Sequence, residues 1–252
     1  MSQQPAGLEV VGVDGLPEIE EGMELGTLIA ERAGLRDGDV VVVVQKVVSK
    51  AEGRARRLAS VIPGAEARRL AALLGKEPAL VELILEESTE VLRAERGVLI
   101  TETHHGFVCA NAGIDSSNLP EDDTVCLLPK DPDASARRIR AELQSAAGAA
   151  PAVIVSDSFG RAWRLGQAEV AIGCTGLQPL DNWRGRQDAH GRELEATLIA
   201  IADEAAAAAD LVRSKDSGIP AAIVRGLDRF VTAEDGPGAV ALRRPRNEDL
   251  FR

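Results

Sequence analysis

The chain has 252 residues, with 29 Lys+Arg against 40 Asp+Glu and a formal net charge of −11. At 45% hydrophobic residues it carries enough apolar material for a sizeable core, which excludes a disordered chain. Aromatics are 2%, with no Tyr. An acidic chain poor in stacking platforms argues against a nucleic-acid partner.

Three cysteines, Cys109, Cys126 and Cys174, form no C-x-x-C pair. An odd, unclustered set predicts reduced, inert thiols. The first ten residues, MSQQPAGLEV, lack the basic and apolar regions of a signal peptide. No apolar run approaches the roughly 18 residues of a membrane span. A soluble, cytoplasmic protein is expected, of one large or two modest domains.

In chain order, Leu8–Val13 predicts a short strand and Glu24–Ala33 a helix stopped by Gly34. Val40–Val44 is five consecutive valines, the pattern of a strand buried on both faces. Glu66–Leu74 and Pro78–Leu92 predict helices, and Val98–Thr103, Phe107–Ala110 and Thr124–Leu128 short β-runs. Asp133–Ala147 predicts a helix with Asp133 as N-cap. Ala152–Val155 predicts a buried strand, Glu193–Val212 a long Ala-rich helix, and Ala221–Val224 a last strand. Strands and helices mix without a strict βαβ rhythm, which favours an α+β fold with mixed sheets and packed helices over a doubly wound one.

Phosphate-binding G-x-x-x-x-G-K-[ST], G-x-G-x-x-G, H-E-x-x-H and G-x-S-x-G patterns are all absent. His104 and His105 are adjacent, so on a strand they face opposite ways and do not share a metal. His190 falls in a polar loop and reads as a surface residue.

Three polar segments follow β-like runs. Lys46, Lys50, Arg54, Arg56 and Arg57 concentrate positive charge beyond the valine strand, which suits an anionic ligand; a solvated basic face explains the same residues equally well. In Asn111–Asn118 small residues let the backbone approach a ligand while Asp115 and Asn118 supply polar groups, although a simple Asx-rich turn also fits. In Val153–Arg161, Asp157 and Ser158 at a strand end can bind Mg²⁺ or Mn²⁺ with phosphate oxygens, Gly160 permits a turn, and Arg161 with Arg164 can neutralise phosphate; an N-capping Asp157 is the bland equivalent. Together they suggest a metal–nucleotide site without a Walker loop.

The stretches GLPEIEEG (15–22), DGDVVVVVQKVVSKAEGR (37–54), VCANAGIDSSN (108–118), LLPKDPDASA (127–136), VIVSDSFGRAWRLGQ (153–167) and ADEAAAAADLV…GIPAAIVRG (202–226) resemble the coenzyme F420-0:γ-glutamyl ligase family, in family order. The tail, including NEDLF (247–251), looks like the ligase portion of two-domain actinobacterial members, and no fused flavin-binding domain is expected. The resemblance implies a single ligase domain over 1–252, built of two intimately associated subdomains, in an intertwined homodimer. It implies GTP-dependent addition of L-glutamate to the deazaflavin precursor F420-0 through an acyl phosphate, with two Mg²⁺ or Mn²⁺ per site, K⁺, and release of GDP and phosphate. By position, Leu16, Pro17, Glu18, Ile19, Gln45, Lys46, Lys50 and Asn118 match nucleotide contacts. Asp115 and Asp157 match ligands of one metal and Ser158 a ligand of the other, with Lys50, Asp115 and Asp157 carrying the catalysis. One departure stands out: where archaeal members carry a metal-binding glutamate, this chain reads Arg213-Ser214-Lys215-Asp216, so Asp216 substitutes after a loop shift or Lys215 takes the place with its own charge. The rival readings are an amide ligase for another carboxylate and a non-catalytic GTP- and metal-binding paralogue.

Overall fold

The computed structural model describes residues 7–115, 123–214 and 216–250. Its elements run β1 (Glu9–Val13), α1 (Leu25–Ala30), β2 (Val40–Val44), α2 (Gln45–Ala51), β3 (Ala55–Arg57), α3 (Ala65–Leu74), α4 (Pro78–Glu86), β4 (Ser88–Glu95), β5 (Val98–Thr103) and β6 (Val108–Ala110). They continue with β7 (Thr124–Cys126), α5 (Pro132–Ala147), β8 (Ala152–Arg161), β9 (Arg164–Thr175), β10 (Asp181–Asn182), β11 (Leu198–Ile199), α6 (Ile201–Asp210) and β12 (Ala221–Arg225).

A five-stranded sheet in the order β1-β12-β2-β8-β9 forms the centre. Only β2 and β8 pair in parallel; the other neighbours are antiparallel. That mixture bears out the α+β expectation. The valine run of β2 is apolar throughout because both faces are covered. Val41 and Val43 pack with Ile29 of α1 and Ile139 and Leu143 of α5, whereas Val40 and Val42 pack with Ala202, Ala205 and Ala209 of α6. The small side chains of α6 let it lie close on the sheet. At the α1–α5 crossing a Cβ on Gly26 would collide with the carbonyl of Ile139 and the Cβ of Glu142, and the Gly26 N–H donates to Glu142 Oε2 at 2.7 Å. This close approach seats α1 and the 15–22 segment ahead of it. A second sheet, β4-β5-β6, packs against α3 and α4 through Leu70, Leu74, Val81, Ile84 and Leu99.

Several sequence expectations are corrected. The helix from Pro78 stops at Glu86, where Ser88 Oγ donates to the Ile84 carbonyl, and the chain turns into β4. The helix expected over Glu193–Val212 is confined to α6; Leu198 and Ile199 pair instead with Asn182 and Asp181. Asp131, not Asp133, caps α5, accepting from Ala134 N at 2.9 Å. Asp133 instead accepts from Cys174 N and Ala239 N, each at 2.8 Å. The strand begun at Ala152 does not end at Val155: β8 runs on to Arg161 and returns as β9, so Asp157, Ser158 and Gly160 lie on a paired strand.

Candidate active site beyond the parallel strand pair

The parallel register ends at Val44 opposite Ser156, and there the two strands part company. The chain after β2 turns at once into α2, whereas β8 continues into its hairpin. Loops gather in such a crevice at the carboxyl ends of parallel strands. It opens here as a cleft of about 490 Å³. It is lined by Leu16, Pro17, Glu18 and Ile19, by Gln45, Lys46 and Lys50 of α2, and by Asp115, Asp157 and Ser158. Residues placed far apart in the chain on separate grounds therefore meet in one cavity. Asn118 and Lys215 lie outside the described residues.

Gln45 is buried, and its Oε1 accepts from Ser49 Oγ at 3.0 Å one turn on, which locks the first turn of α2. Lys46 and Lys50, four apart on one helix face, reach the cleft together. Lys46 Nζ lies 2.7 Å from Asp115 Oδ2, and Lys50 Nζ 2.6 Å from Glu18 Oε1. The other basic residues of that segment part from them. Arg54 turns inward to the Leu128 carbonyl and to Glu87. Arg56 and Arg57 are exposed on β3. Arg161 donates to the Leu165 carbonyl at the hairpin end, and neither it nor Arg164 lines the cleft.

Neighbouring strand residues point to opposite faces. Asp157 faces Cys109 of β6, and burial, followed by the Asp157 carboxylate, pushes that thiol up to about 12. Ser158 sits opposite Glu169 in the β8–β9 register, and its Oγ donates to Glu169 Oε1 at 2.6 Å. Glu169 Oε2 in turn lies 3.6 Å from Arg213 Nη2, both side chains being nearly inaccessible. Burial lowers the Arg213 pKa, opposed by the charges of Glu169 and Asp210. Asp216, also at the cleft, accepts from Ser214 Oγ at 2.6 Å, which holds its carboxyl below the usual range. Arg213 enters the sequence reading only as part of the segment standing where archaeal members carry a glutamate, and Glu169 is not singled out. The alternation of Val170, Ile172 and Cys174 signals a strand there, but nothing linear announces that Ser158 and Glu169 are partners across it.

Among the described residues no group of three or more His, Cys, Asp and Glu is arranged to hold a metal ion. Two carboxylates in the same cleft, Asp115 and Asp157, with the Ser158 hydroxyl, are hard oxygen donors. They fit Mg²⁺ or Mn²⁺, which commonly take one or two carboxylates and complete their shell from substrate phosphates and water. The histidines stand apart: His104 Nε2 meets the Glu86 carbonyl, His105 Nε2 the Pro129 carbonyl, and His190 is exposed in a turn.

The fold is mixed α+β, with a polar cleft at the parallel strand end lined by Lys46, Lys50, Asp115 and Asp157. Residues 15–226 match the family model described as F420-0:Gamma-glutamyl ligase, and the chain belongs to that family. It is 45% identical to the coenzyme F420:L-glutamate ligase of Methanothermobacter thermautotrophicus, covering 98% of this chain and 99% of that one. It is 44% identical to the enzyme of that name from Haloarcula marismortui (97% and 96% covered) and 41% to that from Methanocaldococcus jannaschii (100% of both). Among the described residues no helix is long and apolar enough to cross a membrane.

Proposed function

We propose that this chain, as one ligase domain in a homodimer, joins L-glutamate to a carboxylate of the deazaflavin precursor F420-0 at the cost of GTP and then extends a γ-linked glutamate tail. The observation that carries the reading is the convergence of Leu16–Ile19, Gln45, Lys46 and Lys50 with Asp115, Asp157 and Ser158 in one cleft.

In the first step a carboxylate oxygen of the precursor attacks the γ-phosphorus, the bond to the β-phosphate oxygen breaks, and GDP leaves. In the second the glutamate amine attacks the acyl carbon, phosphate departs with the bonding pair, and the nitrogen gives up its extra protons to form the amide. The first step brings two anions together, so positive charge at the meeting point lowers the barrier. Lys46 and Lys50 supply it from α2. Their pairing with Asp115 and Glu18 holds both ammonium groups at the cleft until phosphate oxygens compete for them. Asp115 and Asp157 would hold one Mg²⁺ or Mn²⁺ and Ser158 would contribute to a second in the same cleft. Bound there, the ions would draw charge off the phosphoryl oxygens and raise the electrophilicity of phosphorus. K⁺ belongs to the same reading. No side-chain nucleophile is needed: the nearby Cys109 thiol stays protonated, and the Ser158 hydroxyl proton is committed to Glu169.

The test is mass spectrometry of a reaction containing purified protein, F420-0, L-glutamate, GTP and Mn²⁺. Successive glutamyl additions that require both GTP and metal are expected. Unchanged precursor despite measurable GTP binding would overturn the reading in favour of a non-catalytic binding protein.

A further inference from the structure

Among the described residues two arginines are buried, and they are satisfied in opposite ways. Arg140, 3% exposed, spends its guanidinium on the carbonyls of Pro151, Thr232, Ala233 and Glu234. Arg213, 5% exposed, makes no hydrogen bond among the described residues through Nε, Nη1 or Nη2, yet it lines the cleft. Among the described residues its one charged neighbour in contact, Glu169 Oε2 at 3.6 Å, lies beyond hydrogen-bond distance and is itself unsatisfied. A guanidinium offers five N–H donors, and burying them without acceptors is costly unless a ligand completes the set. Its planar fork matches two oxygens of a phosphoryl or carboxylate group.

We infer that Arg213 binds an oxyanion of a reactant in the cleft, with Glu169 as the positioning residue that holds its guanidinium there. Glu169 is fixed from the other side by Ser158 Oγ, so the guanidinium is tied to the strand carrying Asp157 and Ser158. The identity of the reactants rests on the ligase reading; the anion site does not. Two sources share this chemistry, the γ-phosphoryl group of the nucleotide and the carboxylate of the acceptor.

Titration calorimetry of the full chain with GTP, GDP and F420-0 separates them. Arg213→Met should bind one of these at least tenfold more weakly, with Arg213→Lys intermediate because it keeps the charge and loses the fork. Loss for GTP with GDP unchanged assigns the γ-phosphoryl; loss for F420-0 with both nucleotides unchanged assigns the carboxylate. Glu169→Gln should weaken the same ligand and spare the other, whereas a merely structural role would weaken both alike. Affinities within twofold of wild type for all three ligands in folded Arg213→Met would overturn the inference. If that variant does not fold, the ¹⁵N–¹H resonance of Arg213 Nε in the wild type, assigned from its loss in Arg213→Lys, gives the answer. It should shift on saturation with GTP or F420-0, and its staying in place with both would refute the site. A wild type whose resonance shifts without glutamyl product forming would remove the ligase reading and leave the anion site standing.

Discussion

Replacing Arg140 by Met keeps most of the aliphatic stem and deletes the guanidinium. Four hydrogen bonds go with it: Nε to Pro151 O at 3.0 Å, Nη1 to Ala233 O at 3.1 Å and Glu234 O at 3.2 Å, and Nη2 to Thr232 O at 2.7 Å. Together they staple the 232–235 segment to α5 and to the start of β8. Hydrogen bonds from a charged donor contribute about 1.5–3 kcal/mol each, but bonds sharing one group are not additive. Water can reach part of the 232–234 segment, whereas Pro151 is buried. The expected loss is therefore about 3–5 kcal/mol, the range for breaking a buried charged network. At roughly 2–4 °C per kcal/mol for a chain of this size, Tm should fall by about 6–20 °C. Scanning calorimetry reads the shift, and urea unfolding gives the free energy. Pro151 adjoins the first residue of β8 while the cleft surrounds Asp157, some 16 Å along the strand at about 3.3 Å per residue. GTP affinity of the folded variant should thus match wild type. A stability loss below about 1 kcal/mol, or weakened GTP binding below Tm, would refute this account of Arg140 as a purely structural arginine.

Three further outcomes are expected. Asp157→Asn should lower turnover by about a hundredfold or more, with stability changed by less than about 1 kcal/mol, because it removes a charged metal ligand without opening a cavity; wild-type turnover at limiting metal would exclude Asp157 as a ligand. Lys50→Ala should weaken GTP binding by about ten- to a hundredfold, the equivalent of one charge-assisted contact; an unchanged Kd would remove Lys50 from the phosphate site. Burial, with the neighbouring carboxylates second, pushes Cys109 and Cys174 up to about 12 from a thiol's ordinary value. The native state then keeps protons that the unfolded chain, with thiols near roughly 8.5, has already lost. The stability this contributes is complete below that value and disappears as pH rises toward 12. The Cys109→Ala/Cys174→Ala double variant should lose less stability than wild type between pH 9 and 11 in urea titrations; parallel losses would show that other groups govern that range.

How far the chain announces its own structure depends on whether the determining contact is local. The valines of β2 are legible because a strand covered on both faces has no polar face to alternate. Pro132 with Gly148 brackets α5 to within a residue or two, yet the cap passes from Asp133 to Asp131, since Asp133 is drawn off by the N–H groups of Cys174 and Ala239. The 193–200 stretch reads as helix by composition, but its own pairing with Asp181–Asn182 prevails over propensity. The cleft follows the same division. Lys46 and Lys50 stand out as positive charge in an acidic chain, and four-residue spacing puts both on one side of α2. Arg54, identical to them in charge and only four residues beyond Lys50, is lost to Glu87 and the Leu128 carbonyl, contacts that no local pattern marks. Glu169 and Arg213 are the limiting case. One is a charged residue in an otherwise alternating strand, the other a cation at the end of an alanine helix, and neither stands out alone. Strand pairing brings Glu169 to Ser158, and the packing of α6 on the sheet brings Arg213 to Glu169. What separates Arg213 from the structural Arg140 is then not burial, which they share, but which of the two has already found its acceptors.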